Sequence, residues 1–234
     1  MTKKTWIIFT VVVIGLFAGL IAYSRNANPK IDVSKIDANN VQKASEQNGN
    51  IADHTFGSKL NKVVLVEYGD FQCPGCGSEH PLIKNLTQLY TDQLTFVFRN
   101  FPLTSAHPNA KAAAASVEAA GLQGKYWEMH NIVYEAQGDW NTLSGSDRDA
   151  KFLSYAKRLG LDESKFTTDS ASSDVLNKIA FDQAIGGKVG VDATPTFILN
   201  GTKLDQTVWG DETKFKAAIN DELTKAGVAL PTTE

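Results

Sequence analysis

The chain of 234 residues holds two cysteines, and both fall in the tetrapeptide Cys73-Pro74-Gly75-Cys76. Two thiols at this spacing can close on each other, so the chemistry they offer is reversible disulfide formation. On a helix, residues three apart have Cβ atoms about 5 to 6 Å apart, whereas a relaxed disulfide wants about 3.8 Å. Such a bond carries strain and is easier to reduce, which suits exchange. A zinc half-site would need two more ligands from His54, His80, His107 or His130, which are scattered through the sequence. Haem attachment needs His directly after the second cysteine, and position 77 is Gly77. A structural bridge closing so small a loop would remove little chain entropy. Redox exchange is the leading reading, and a non-catalytic tethered binding module with a structural or metal-bound CxxC is the alternative.

A reactive thiol needs elements that favour its thiolate. Lys62-Val63-Val64-Leu65-Val66-Glu67-Tyr68 is a short apolar run bounded by Asn61 and Gly69-Asp70, and it reads as a buried strand. From Pro74 to about Tyr90, Leu82, Ile83, Leu86, Leu89 and Tyr90 recur at helical spacing, so Cys73 sits where a strand turns into a helix. The unpaired N–H groups and positive dipole end at such a place lower a thiol pKa from its free value of roughly 8.5. Pro74 suits the first helical position, where its missing N–H costs nothing.

A second informative stretch runs from Val191 to Gly201. Phe197 to Leu199 reads as a strand, Asn200-Gly201 as a hairpin turn and Lys203 to Trp209 as the returning strand. Between the two stretches the pattern is helical. His107 to Gln123, Lys125 to Gln137, a segment around Phe152 to Leu159 ending at Gly160, and Val175 to Ala184 each read as helices. Residues 211 to 226 make a closing helix with an acidic first turn, Asp211-Glu212, ended near Gly227.

A strand, Cys-Pro-x-Cys at a helix start and a later Thr194-Pro195 before a strand together resemble the thioredoxin superfamily, and specifically its DsbA-like extracytoplasmic branch, over roughly residues 54 to 226. The resemblance implies an α/β thioredoxin fold with an inserted helical subdomain, split as 54–104 and 188–226 around an insertion at 105–187. It implies that Cys73 forms a mixed disulfide with a client and that Cys76 resolves it. Pro74 and Gly75 complete the motif. Pro81 stands where the family kinks its active-site helix. Pro195 stands where the family has a cis proline, with the backbone of Thr194 free to pair with an extended substrate by strand addition. Glu67 stands where the family has a buried acid behind the second cysteine. It shares a strand face with Val63 and Leu65, so burial would raise its pKa and suit it to exchange a proton with Cys76. No bound cofactor and no metal are implied. Expected partners are reduced or misoxidised exported proteins and a membrane redox partner, a quinone-linked oxidase or reductase. The strongest oxidants of the family have His at the third motif position, where this chain has Gly75. An extracytoplasmic disulfide reductase or isomerase therefore stands beside the oxidase as an alternative.

The N-terminus bears on where this chemistry operates. Trp6 to Tyr23 is an uncharged, mostly apolar run of 18 residues, long enough to span a bilayer, with an aromatic residue at each end. Ala22-Tyr23-Ser24 is a poor cleavage site, which favours an uncleaved anchor over a signal peptide. Lys3 and Lys4 precede the run, which puts residues 1–5 in the cytoplasm, 6–23 in the membrane and the rest outside. Residues 24–53 are rich in Asn, Lys, Asp, Ser and Gln and read as a flexible linker, and 227–234 as a tail. The whole chain carries a formal charge of -3. Without Lys3, Lys4 and Arg25, 20 basic residues face 26 acidic ones. That balance argues against a nucleic-acid partner.

Overall fold

The computed structural model describes residue 6 and residues 9–17, 31–60 and 62–231. It divides into two units, 1–32 and 33–234, each taken by itself. In the first, residues 9–17 are helical. The rest of the expected 6–23 span, apart from Trp6, lies outside the described residues, as do the linker positions up to 30. Among the described residues no helix is long and apolar enough to cross a membrane.

The second unit is built on a five-stranded sheet in the order β1-β3-β2-β4-β5. The strands are β1 (Thr55–Gly57), β2 (Val64–Gly69), β3 (Thr95–Asn100), β4 (Thr196–Leu199) and β5 (Thr202–Lys203). β2 is central, parallel to β3 and antiparallel to β4. Every residue of β2 is buried. Successive side chains of a strand point to opposite faces, so Leu65 and Glu67 share a face, beside Leu199 and Phe197 of β4 and Phe96 and Phe98 of β3.

Helix α1 (Pro74–Leu89) follows β2 directly. Its buried residues Cys76, His80, Ile83, Leu86 and Thr87 fall at helical spacing on one face. The helix continues through Pro81. Between β3 and β4 come α2 (Ala110–Gly121), α3 (Tyr126–Glu135), α4 (Gln137–Trp140), α5 (Gly145–Arg158), α6 (Glu163–Ser170) and α7 (Ser173–Lys188). This is the helical insertion of a thioredoxin-like α/β fold. The chain closes with α8 (Gln206–Trp209) and α9 (Glu212–Lys225). Asp211 caps α9 by accepting from the N–H groups of Thr213 and Lys214. Gly227, at φ 64°, ends it in the left-handed conformation that favours glycine.

The structure corrects the sequence reading at two places. The expected strand Lys203–Trp209 is only the two-residue β5, because Asp205 accepts from the Thr207 N–H at 2.8 Å and starts α8 instead. The expected linker 24–53 is, from Val33 onward, part of the folded unit. Two buried cations, Arg99 and Lys178, and the exposed Lys188 hold it there. The Arg99 guanidinium donates to the carbonyls of Ala38 (2.6 Å) and Asn40 (2.8 Å) and to Asp53 Oδ2 (2.8 Å). Lys178 Nζ donates to Asp53 Oδ1 at 2.8 Å and to Asp182 Oδ1 at 2.6 Å. Lys188 Nζ donates to the carbonyls of Val33, Ser34 and Ile36.

Candidate active site

The turn from β2 into α1 is fixed by its own polar residues. Asp70 Oδ1 accepts the Gln72 N–H (2.8 Å), and the Asp70 carbonyl accepts the Cys73 N–H (3.0 Å). Asp70 Oδ2 accepts the Leu103 N–H and lies 2.8 Å from His107 Nδ1, which ties the turn to the segment after β3. Cys73 is the N-cap of α1 in extended conformation, with Pro74 at the first helical position. Gly77 N then donates to the Cys73 carbonyl as an opening helical bond, at 3.1 Å.

The two sulfurs are free thiols in unlike surroundings. Cys73 is 8% exposed and Cys76 1%. A hydrogen bond from the Cys76 side chain, outweighing desolvation, brings the Cys73 pKa down to about 5, helped by Thr194 and by the backbone N–H groups of Cys76 and Gly75. Burial pushes the Cys76 thiol up, reinforced by that same bond and by the charge of Glu67. Cys73 is the thiol that ionises first.

Glu67 is 4% exposed, and burial, followed by the charges of Glu79 and Cys73, raises its pKa to about 8. Among the described residues its carboxyl has no hydrogen-bond partner, so nothing there offsets the desolvation. Phe98, its neighbour on β3, packs against Phe71 at 4.9 Å between ring centroids, and Phe71 packs against Tyr134 at 4.7 Å. The acid thus sits in a largely aromatic environment.

Thr194-Pro195 is brought to the cysteines across 121 positions of sequence. Cys73 Sγ donates to the Thr194 carbonyl at 3.3 Å, and the Thr194–Pro195 bond is cis. A Cβ added at Gly75 would meet Pro195 Cδ at 3.5 Å and Cys73 Sγ at 3.6 Å. Cys73, Cys76, Pro74, Gly75, Glu67, Thr194 and Pro195 therefore gather in one place.

Two of the four histidines are held by carboxylates. His54 Nε2 lies 2.9 Å from Glu118 Oε2, and His107 is on Asp70. His80 and His130 are buried, and desolvation lowers their pKa values to about 4 and about 3. Among the described residues no group of three or more His, Cys, Asp or Glu side chains is arranged to hold a metal ion.

Three residues at the site were not singled out in the sequence. Gln137 Nε2 donates to the carbonyls of Phe71 (2.7 Å) and Cys73 (2.9 Å). Gln72 donates to the Asn141 carbonyl (2.8 Å) and accepts the Asn109 N–H (2.6 Å). Asp70 had only the turn signal of Gly69-Asp70, which located a bend and not its partners.

A family model described as Thioredoxin matches residues 48–221. Among solved structures, alpha-DsbA1 of Wolbachia pipientis superposes with a TM-score of 0.65 at 21% identity, covering 74% of this chain and 92% of that one. MdbA, described as a thiol-disulfide oxidoreductase from Corynebacterium diphtheriae, superposes with a TM-score of 0.59 at 15% identity, covering 82% and 98%. At these identities the likeness is one of fold. Among curated proteins, the Na(+)/H(+) antiporter NhaA 1 of Salinispora arenicola is 40% identical over 151 residues, which are 64% of this chain and 22% of that protein. The match thus spans about a fifth of that relative's length, and the antiporter name belongs to the whole of it.

Proposed function

Because the chain belongs to the thioredoxin family, we propose that it is a protein thiol-disulfide oxidoreductase, acting as a DsbA-like oxidase that passes the Cys73–Cys76 disulfide to exported proteins. The observation that carries this reading is the opposite displacement of two thiols three positions apart, with the Cys73 pKa brought to about 5 and that of Cys76 pushed well above its ordinary value. A thiolate stable at neutral pH is a good leaving group. When a client thiolate attacks Cys73 Sγ of the disulfide, the S–S bond breaks and its electron pair goes to Cys76, while a new S–S bond joins client and Cys73. A second client thiolate then attacks the client sulfur, expels Cys73 as thiolate and leaves the client oxidised and the pair reduced.

In this reading Glu67 hands its proton to the nascent Cys76 thiolate and takes it back when Cys76 is reoxidised. Its pKa of about 8 suits transfer in either direction near neutral pH. Thr194 and Pro195 supply the ledge beside Cys73 on which an extended client lies, its backbone pairing with that of Thr194.

The apolar run 6–23 supports a membrane anchor with the catalytic unit on the extracytoplasmic side. A quinone-linked membrane protein is the proposed partner that reoxidises the pair. Gly75, with no side-chain donor to the thiolate, favours a milder oxidant than the strongest of the family, and it is the residue that keeps a reductase or isomerase as the second reading.

Trapping tests the assignment of roles. Cys76→Ser leaves Cys73 free to form mixed disulfides and removes the group that resolves them, so client adducts should accumulate on a non-reducing gel. Cys73→Ser should give almost none, since the remaining thiol is buried and protonated. Equal adduct levels in the two variants would remove the proposed division of labour.

A further inference from the structure

We propose that Gln137 is a positioning residue for the Cys73 thiolate, through which the helical insertion sets the reactivity of the pair. The inference rests on the reading of Cys73 as the reactive thiol and adds what tunes it. The Gln137 amide has two hydrogens, and both are committed to the backbone around the nucleophile, to the Phe71 carbonyl at 2.7 Å and the Cys73 carbonyl at 2.9 Å. The Cys73 carbonyl already accepts from Gly77 N at 3.1 Å, so Gln137 occupies its second lone pair.

Those two bonds fix two peptide planes. A carbonyl oxygen carries partial negative charge, and turned toward Sγ it would disfavour the thiolate. Held on Gln137, both oxygens have their direction set, and the N–H groups of Gly75 and Cys76 remain free to favour the thiolate as they do here. The arrangement depends on Gly77. A Cβ there would lie 2.8 Å from Gln137 Oε1 and 3.0 Å from Nε2, closer than side-chain atoms normally approach. Gly77 therefore admits the amide to the carbonyls.

A second grip lies one residue away. Gln72, between Phe71 and Cys73, donates to the Asn141 carbonyl and accepts the Asn109 N–H. Asn109 precedes α2, Gln137 opens α4 and Asn141 follows α4, so the loop is bonded to three points of the insertion. Of these bonds, those of Gln137 alone reach the carbonyl of Cys73 itself.

The test is a thiol titration of the reduced full-length protein, read by ultraviolet thiolate absorbance, for Gln137→Met, Gly77→Ala and the double variant. Met matches the length of Gln and cannot donate, while Ala at 77 keeps the amide and displaces it. Loss of a typical net hydrogen bond should raise the Cys73 pKa by about half to one unit in each variant, roughly three- to tenfold less thiolate below that pKa. The pair should become correspondingly easier to oxidise by glutathione disulfide. Because both lesions break one contact, the double variant should show no more than the larger single effect. A folded Gln137→Met protein with the parent titration would overturn the proposal, as would full additivity. Where circular dichroism finds Gln137→Met unfolded, Gly77→Ala decides by the same criterion. Thiol titration needs no client, so a parent protein that fails to oxidise clients would defeat the proposed function without touching this result.

Discussion

Cys73 and Cys76 differ through what surrounds them, and Glu67 is part of that difference. Removing the titratable carboxyl of Glu67 should slow resolution by Cys76 while leaving attack at Cys73 nearly unchanged. Stopped-flow exchange with a model disulfide checks this for Glu67→Gln, and an unchanged resolution rate would contradict the proton-transfer role. Linkage gives a second readout. Folded Glu67 keeps its proton up to about pH 8, against an ordinary value of 4.5. Between these values the native state binds more protons than the unfolded one, so stability falls as pH rises. Reduced Cys73 has the opposite sign, with a pKa of about 5 against an ordinary 9.0, so it adds stability as pH rises through that interval. In the disulfide form Cys73 has no proton to titrate. The oxidised protein should therefore lose stability from about pH 5 to 8, while in the reduced protein the two slopes oppose each other. Glu67→Gln should flatten the oxidised profile and gain on the order of 3 kcal/mol near the top of that interval. Denaturant unfolding across the range measures it, and an oxidised parent with no pH dependence there would contradict the burial of an ionisable Glu67.

At the scale of elements, what the sequence made legible was local. The run Lys62 to Tyr68 reads as a strand with turn residues on both sides, and β2 begins two residues into it, at Val64, and runs on through Gly69. Pro74 and the following apolar spacing located α1, and Asp211 with Gly227 located α9, because caps and breakers are read within a few residues. β1 and β3 went unread. β3 is Thr-Phe-Val-Phe-Arg-Asn, an apolar run ending in a cation, and the partners that let Arg99 be buried come from residues 38 to 68. The same long-range pairing explains why residues 33–53 look like a tether by composition and fold nonetheless. Lys178 is the test of that arrangement. Lys178→Met leaves Asp53 with Arg99 and takes the Lys178 ammonium from buried Asp182, where breaking an ion pair costs about 3 to 5 kcal/mol. The thermal midpoint should drop by roughly 10 °C. A drop of less than about 2 °C would mean that the cluster contributes little to holding this segment.

For the whole molecule, the fold organises the site by convergence. The central strand carries Glu67, the turn after it carries Cys73, the helix that follows carries Cys76, and the segment leading into β4 carries Thr194-Pro195. The insertion reaches the same loop through Gln137. Of these, the Cys-Pro-x-Cys tetrapeptide was legible as a local motif, while the expectations for Glu67 and Thr194-Pro195 came from the family resemblance. The sequence was silent on Gln137, whose contact exists only once α4 is packed on the loop. The central claim is that this assembly makes Cys73–Cys76 an oxidising pair, and its reduction potential tests that most directly. Equilibration of the purified protein with glutathione buffers should give a value clearly above that of thioredoxin, between roughly -200 and -120 mV. A value near about -270 mV would contradict the oxidase and make the protein a reductase.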